Sequence, residues 1–172
     1  MRSVICLLAL ALTHTLAFGQ GRTTAAQDKA LNVPDKTDEL GVGLQLGSLS
    51  GVNLEYWLTQ DRTMNAALTA ERGNVALNAT HVWLFANTFG GQFRNFVPFV
   101  GAGLLGAWGD RSDYFRRANN ENFALALHVP LGIEFLPRLE RFGIFAELAP
   151  SLEFVPQSFA FVTGDVGARF YF

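Results

Sequence analysis

Counting along the predicted hairpins brings together three side chains of the types that nucleophilic catalysis uses: His128, Glu147 and Ser151. A serine activated by a histidine, with a carboxylate to orient the imidazole, is the arrangement found in many hydrolases. The same three groups can instead form a polar network that satisfies buried atoms, and no oxyanion hole is visible in the sequence. We therefore predict no catalytic residue and a non-enzymatic protein, with a lipid-modifying enzyme as the alternative.

Other binding chemistries are restricted by composition. The chain of 172 residues contains one cysteine, Cys6, which lies inside an N-terminal apolar run at 4–12. If that run is removed with a leader, no cysteine-type metal site is possible, and we expect no metal and no cofactor. The formal net charge of −2 gives no electrostatic footprint for nucleic acid, so we expect no nucleic-acid partner.

The first 39 residues do not resemble a folded domain. Arg2, the apolar run and a small-x-small site at 17–19 have the order of a secretory signal peptide, which we assign to 1–19. The run is too short for a permanent anchor, since a membrane helix needs about 20 apolar residues. Residues 20–39 have no hydrophobic period and are predicted to be a flexible N-terminal periplasmic tail.

From Leu40 onward, apolar residues recur at every second position, which is typical of strands with one apolar face. This pattern predicts eight strands, at 40–47, 52–58, 64–70, 75–85, 96–108, 123–135, 142–154 and 159–172. An even number of strands linked by hairpins can close into an up-and-down barrel.

The two faces of these strands differ in charge. The apolar faces carry no charged residue, whereas the other face holds the in-strand charges: Glu55, Glu134, Glu147, Glu153, Asp165 and Arg169. A soluble lipid-binding barrel, the alternative here, would place apolar groups inside and charges outside. We therefore predict an all-β, eight-stranded antiparallel up-and-down transmembrane β-barrel at 40–172, with an apolar outside and a polar, filled interior.

An eight-stranded barrel is just wide enough inside for side chains to fill it, so we expect a plugged lumen; a narrow small-solute channel is a further alternative. Buried charges must be paired. Counting along the hairpins places Glu134 opposite Gly143 and Arg169 beside Gly143, so the two charges could bridge across the glycine. The predicted structural network in the lumen comprises Glu55, His128, Glu134, Glu147, Ser151, Asp165 and Arg169.

Aromatic residues and one long loop mark the ends of the predicted barrel. One rim collects Tyr56, Trp57, Trp83, Phe85, Phe96, Phe99, Phe135, Phe142, Phe170 and Phe172. Such a set is typical of an interfacial girdle. With both termini in the periplasm, loop 109–122 would lie outside the cell. Its candidate interaction residues are Arg111, Tyr114, Phe115, Arg116 and Arg117, which could bind lipopolysaccharide phosphates or a partner protein.

Segments at 41–58, 96–104, 128–137, 145–150 and 167–172 together resemble a family of small eight-stranded bacterial outer-membrane β-barrels of largely unknown function, with OmpA/OmpX-like architecture. Phe170 and the terminal Phe172 resemble the C-terminal assembly signal of such barrels. The resemblance implies export to the outer membrane, contact with its lipids and recognition by the assembly machinery. It implies a fold and a location rather than a reaction. We therefore predict a small non-enzymatic outer-membrane β-barrel protein with a structural role or a surface-interaction role through its extracellular loops; an outer-membrane lipid-modifying enzyme is the alternative. His128 stands where the family pattern leads us to expect arginine.

Overall fold

The structure, a computed structural model, describes residues 34–71, 74–109, 123–137, 141–156 and 158–172. Within these ranges the chain forms nine β-strands and one short 3₁₀ turn at Gly91–Phe93. The strands are β1 (Leu40–Gly47), β2 (Gly51–Thr59), β3 (Arg62–Glu71), β4 (Asn74–Leu84), β5 (Phe96–Gly109), β6 (Phe123–His128), β7 (Leu131–Phe135), β8 (Phe142–Val155) and β9 (Phe159–Tyr171). The predicted leader lies outside the described residues.

The strands form a closed antiparallel ring. Strands β1 to β5 pair in sequence order, and β9 pairs with both β8 and β1, which closes the ring. Strands β6 and β7 follow one another along a single position, since both pair with β5 on one side and β8 on the other. The ring therefore has eight strand positions, and the predicted all-β, eight-stranded up-and-down barrel is confirmed.

The sixth predicted strand, at 123–135, is not continuous. Val129 and Pro130 separate β6 from β7, because proline has no backbone N–H to donate to a neighbouring strand. Two hydrogen bonds keep the halves in line: the Gly101 N–H donates to the Pro130 carbonyl at 2.7 Å, and the Val129 N–H donates to the Pro150 carbonyl at 3.1 Å.

The second and third strands are longer than the sequence predicted. Strands β2 and β3 have nine and ten residues, and only Gln60 and Asp61 connect them. The predicted turn at 59–63 is thus a two-residue connection, as antiparallel hairpins favour. Both strands now reach the length of about 9–11 residues that a tilted strand needs to span a bilayer.

Side chains alternate across the barrel wall. Leu44, Leu46 and Val162 point outward and are about two-thirds exposed, while the residues between such positions are buried or partly buried. Among the outward positions of the described strands, the sole charged residue is Arg62, which is the first residue of β3. The predicted arrangement, apolar outside and polar inside, is therefore correct.

Inside, apolar residues fill both ends and polar residues fill the middle. We call the end where β1 begins and β9 ends the terminal end. Its core consists of Trp57, Val82, Leu84, Val97, Phe99, Leu136, Phe145 and Tyr171. The opposite end is filled by Leu49, Ala76, Leu105, Ala107, Ala124 and Ala126. The interior is thus closed by packed side chains above and below the polar layer.

Residues 34–39, which the sequence assigned to the flexible tail, pack against the terminal end. Lys36 is 4% exposed; its Nζ lies 3.1 Å from Glu39 Oε2 and 4.1 Å from the centre of the Tyr171 ring. The Asp38 N–H donates to the Trp57 carbonyl at 2.9 Å. The Lys36–Tyr171 contact and this backbone hydrogen bond hold the segment in place. Neither contact requires a hydrophobic period, so the sequence pattern gave no sign of them.

Two members of the predicted aromatic rim also stand at lumen-facing positions of the sequence pattern, and their rings point into the interior. Trp57 and Phe99 are buried in the terminal-end core because they occupy inward positions on β2 and β5. The exposed members are Tyr56, Trp83, Phe85, Phe96, Phe142, Phe170 and Phe172. The rim therefore keeps an outward aromatic set, while the two inward rings help to close the barrel.

Candidate functional site in the barrel interior

Arg169 is the centre of the polar interior. It stands on β9, is 2% exposed, and stacks its guanidinium 3.9 Å from the centre of the Phe145 ring. Its Nη1 donates to Glu134 Oε1 at 3.0 Å and to Glu55 Oε2 at 3.3 Å. Its Nε donates to the side-chain oxygen of Asn53. One buried cation thus links strands β2, β7 and β9.

Tyr171 and Thr63 complete the shell around the two glutamates. The Tyr171 hydroxyl lies 2.7 Å from Glu55 Oε2 and 2.8 Å from Glu134 Oε1, and its single proton can be donated to one carboxylate at a time. Thr63 Oγ1 donates to Glu55 Oε1 at 3.0 Å. The Asn65 amide satisfies both neighbours when its nitrogen faces Glu55 and its oxygen faces Arg169.

The predicted contact between Glu134 and Arg169 beside Gly143 is present. The register between β7 and β8 differs from the predicted one. The structure pairs Glu134 with Phe145, not with Gly143, and pairs Gly143 with Arg169. A Cβ atom at Gly143 would lie 2.8 Å from Glu134 Oε1. The missing side chain at Gly143 therefore leaves the space through which the two charges meet.

His128 and Ser151 also meet in the interior. They are cross-strand partners on β6 and β8, and Ser151 Oγ lies 2.9 Å from His128 Nδ1. A catalytic triad would use Nδ1 for the carboxylate and Nε2 for the serine, so this geometry is the reverse. Both residues are at least 95% buried.

Glu147 shares a small cavity with His128 without completing a triad. The cavity has a volume of about 10 Å³, which is enough for roughly one water molecule. Its lining consists of Asn53, Asn65, Asn78, Thr80, His128, Pro130 and Glu147. Within the part of the chain that the structure describes, no hydrogen bond joins Glu147 to His128. These residues form a polar lining, and the cavity is too small for a lipid substrate.

Asp165 holds the turn between β1 and β2 at the opposite end. Its Oδ1 accepts a hydrogen bond from the Leu49 N–H at 2.7 Å, and Gln45 Nε2 donates to the Leu49 carbonyl at 2.6 Å. Asn53 Nδ2 donates to Gln45 Oε1 at 3.1 Å. A continuous series of hydrogen bonds thus runs from Arg169 through Asn53 and Gln45 to Leu49, which is 1% exposed.

Several members of this network are not among the predicted site residues. They are Gln45, Leu49, Asn53, Thr63, Asn65, Asn78, Thr80 and Tyr171. Except for Thr63, which the sequence pattern assigned to a turn, and Leu49, their positions in the period-two pattern already placed them inside. What the pattern lacks is the register between strands, which decides which inward side chains touch. Leu49 lies in a turn, where no period exists.

The remaining predicted residues divide into two groups. Phe170 and Phe172 are exposed at the terminal end, with ring centres 5.1 Å apart. The loop residues Arg111, Tyr114, Phe115, Arg116 and Arg117 lie outside the described residues, so their predicted role stays a prediction. In the described ranges, no group of three or more His, Cys, Asp or Glu could hold a metal ion. Those ranges also contain no helix that is long and apolar enough to cross a membrane.

Comparison with known proteins supports the fold. No protein-family model and no curated protein sequence matches the chain. A crystal structure of the N-terminal β-barrel domain of Pseudomonas aeruginosa OprF is similar, with a TM-score of 0.57 and 14% sequence identity. The match covers 79% of this chain and 98% of the OprF domain. At this level of identity, the similarity establishes a shared barrel architecture.

Proposed function

We propose that this chain is a small non-enzymatic outer-membrane β-barrel protein with a structural or surface-interaction role. The observation that carries the proposal is the outer wall. Thirty-three large apolar side chains are exposed among the described residues. A soluble monomer rarely exposes an apolar patch of more than a few hundred Å², so a wall of this kind requires an apolar solvent.

A closed ring fits that solvent for a second reason. Every backbone polar group inside a bilayer must be satisfied within the protein, and a barrel achieves this because it has no free edge. The similarity to the OprF barrel domain supports an outer-membrane protein in general. The predicted signal peptide at 1–19 favours export, and the alternating apolar residues of β9 favour recognition of this strand by the assembly machinery.

The filled interior favours a structural role over catalysis or transport. A lipid-modifying enzyme would have to expose its serine and histidine, whereas Ser151 and His128 lie inside, beside a cavity of about 10 Å³. A channel would need a continuous opening, but apolar clusters fill both ends of the lumen. Interaction would then occur through the loops, and loop 109–122 is the candidate for a lipopolysaccharide or protein partner.

Cell fractionation combined with gel mobility tests the location and the fold. The outer-membrane fraction of expressing cells is run on a detergent gel with and without boiling. We expect a membrane-bound band whose mobility changes on boiling, since a closed barrel resists detergent until it is heated. A soluble periplasmic band with no mobility change would contradict the proposal and favour a soluble barrel.

The lipid composition of the same cells tests the enzyme alternative. Cells producing the wild-type protein, the Ser151→Ala variant or no protein are compared for lipid profile. We expect three identical profiles. A lipid species that depends on wild-type protein and disappears with Ser151→Ala would overturn the non-enzymatic role.

A further inference from the structure

The connection between β4 and β5 forms an apolar groove on the outer wall. This connection, residues 85–95, folds over the barrel instead of extending away from its end. Phe89 and Phe93 from the connection face Phe96 of β5 and Ile133 of β7 across a groove of about 370 Å³. All four side chains are at least one-third exposed, and together they form the groove lining.

The connection has a defined backbone conformation. Asn87 and Gly91 adopt positive φ angles of 63° and 61°, as residues in tight turns often do. Thr88 Oγ1 donates to the Phe85 carbonyl at 2.7 Å, and the Leu136 N–H donates to the Asn95 carbonyl at 2.8 Å. The two phenylalanines of the groove are therefore held over the wall by local turns and by a bond to the neighbouring connection.

Unpaired arginines surround the same end of the barrel. Each of the three connections at the terminal end has an exposed arginine just before or at the start of the next strand: Arg62, Arg94 and Arg141. Within the described ranges, none of the three forms an ion pair. Arg94 directly follows Phe93 in the chain and is exposed, so it is the nearest of the three arginines in sequence to the groove-lining phenylalanines. Arginine binds phosphate with two parallel hydrogen bonds, which suits an anionic headgroup.

We propose that this groove binds one glycerophospholipid of the leaflet at the terminal end, with an acyl chain between Phe89, Phe93 and Ile133 and the phosphate on Arg94. The site rests on the proposed membrane location. The groove is continuous with the outward apolar wall, so a chain enters it directly from the hydrocarbon region. An apolar lining beside an unpaired cation matches a ligand that has a hydrocarbon part and an anionic part.

Lipid binding to full-length protein recovered from membranes tests the site. The delipidated protein in detergent micelles is titrated with phosphatidylglycerol, and bound lipid is counted by native mass spectrometry. We expect Phe93→Ser to weaken binding about tenfold, through lost apolar contact, and Arg94→Gln about fivefold. Diacylglycerol, which lacks the phosphate, should bind equally to wild-type protein and to Arg94→Gln.

Phe154→Ser is the matched control, because Phe154 is an outward phenylalanine at the opposite end and is 46% exposed. It should bind phosphatidylglycerol as the wild-type protein does. An equal loss in Phe154→Ser and Phe93→Ser would overturn the site, because it would indicate nonspecific contact with the aromatic girdle. Unchanged binding in Phe93→Ser would overturn it as well.

A photo-crosslinking amino acid at position 93 identifies the occupant in cells. We expect a lipid adduct, whereas a discrete protein adduct would overturn the lipid assignment and indicate a partner segment. Cell fractionation distinguishes a failure of the groove site from a failure of the proposed membrane location. If Phe93→Ser and wild-type protein both reach the outer membrane but bind lipid equally, the groove site alone fails; if wild-type protein is soluble, the membrane location fails.

Discussion

At the scale of single residues, the interior depends on Arg169. This guanidinium stands between Glu55 and Glu134 and separates two buried carboxylates. We expect Arg169→Met to lower the free energy of unfolding by about 3–5 kcal/mol, because it leaves both carboxylates without their cation. Urea unfolding in detergent micelles, followed by tryptophan fluorescence, measures the change.

Glu134→Gln provides the matched comparison for Arg169→Met. The amide keeps an oxygen that can accept from Arg169 Nη1, and Glu55 still neutralises the guanidinium. We expect a loss of about 1–2 kcal/mol, as for one altered hydrogen bond. If Arg169→Met costs no more than Glu134→Gln, the ion pairs do not hold these strands together.

A substitution at Gly143 tests the same network by adding volume beside it instead of removing a charge from it. An added Cβ would lie 2.8 Å from Glu134 Oε1 and 3.1 Å from the Tyr171 hydroxyl oxygen. We expect Gly143→Ala to cost about 1–3 kcal/mol by displacing Glu134 from Arg169. Gly164→Ala is the control, since the Cβ there faces outward and its nearest neighbour is the flexible end of Leu148, at 3.1 Å, with the Glu147 carbonyl oxygen at 3.9 Å. Equal effects of the two substitutions on urea unfolding would contradict the steric argument.

At the scale of elements, the turn between β1 and β2 closes the barrel from inside. Leu49 enters the lumen among Ala76, Leu105 and Ala124, and its backbone is bound by Gln45 and Asp165. We expect Leu49→Ala to cost about 2–5 kcal/mol because it leaves a cavity in a packed core. Leu46→Ala, at an outward position that is 66% exposed, should cost much less in the same unfolding experiment. Similar losses would mean that Leu49 does not act as a plug.

The strands themselves were predictable because alternation encodes two faces. All eight predicted strands correspond to observed strand positions, and the inward positions of Glu55, Glu134 and Arg169 followed from parity. The alternation of inward and outward residues does not encode turn geometry. The break at Pro130, the two-residue turn after β2 and the shift that pairs Glu134 with Phe145 all depend on local backbone bonds that leave no period.

Connections were the least predictable elements for the same reason. The sequence pattern treats 86–95 as a turn, yet Phe89 and Phe93 of this segment line a groove with Phe96 and Ile133 of the wall. Residues 34–39 resemble a tail, yet one buried lysine over the Tyr171 ring fixes them. In both segments a few specific contacts decide the structure, and composition alone contains no signal for them.

At the scale of the whole molecule, the ring and the distribution of charge are parts of one arrangement. Closing the ring satisfies the backbone of every strand position, which permits an apolar solvent outside. The charges that link the strands then have to lie inside, where Arg169 and its glutamates replace contact with water by contact with each other. A filled lumen follows, because a network that is satisfied by its own members leaves little room for a solute.

A charge placed in the middle of the outer wall tests whether that wall faces lipid or water. Val166 stands near the middle of β9, points outward and is 55% exposed. If the wall faces lipid, Val166→Lys should lower the free energy of unfolding in phospholipid vesicles by about 2–4 kcal/mol, the cost of a lysine near the bilayer midplane. Val166→Ala, which removes the side chain without adding charge, is the control and should cost clearly less. If the wall faced water, Val166→Lys would change stability by no more than about 0.5 kcal/mol, as expected for an exposed surface position, and the membrane location would have to be abandoned.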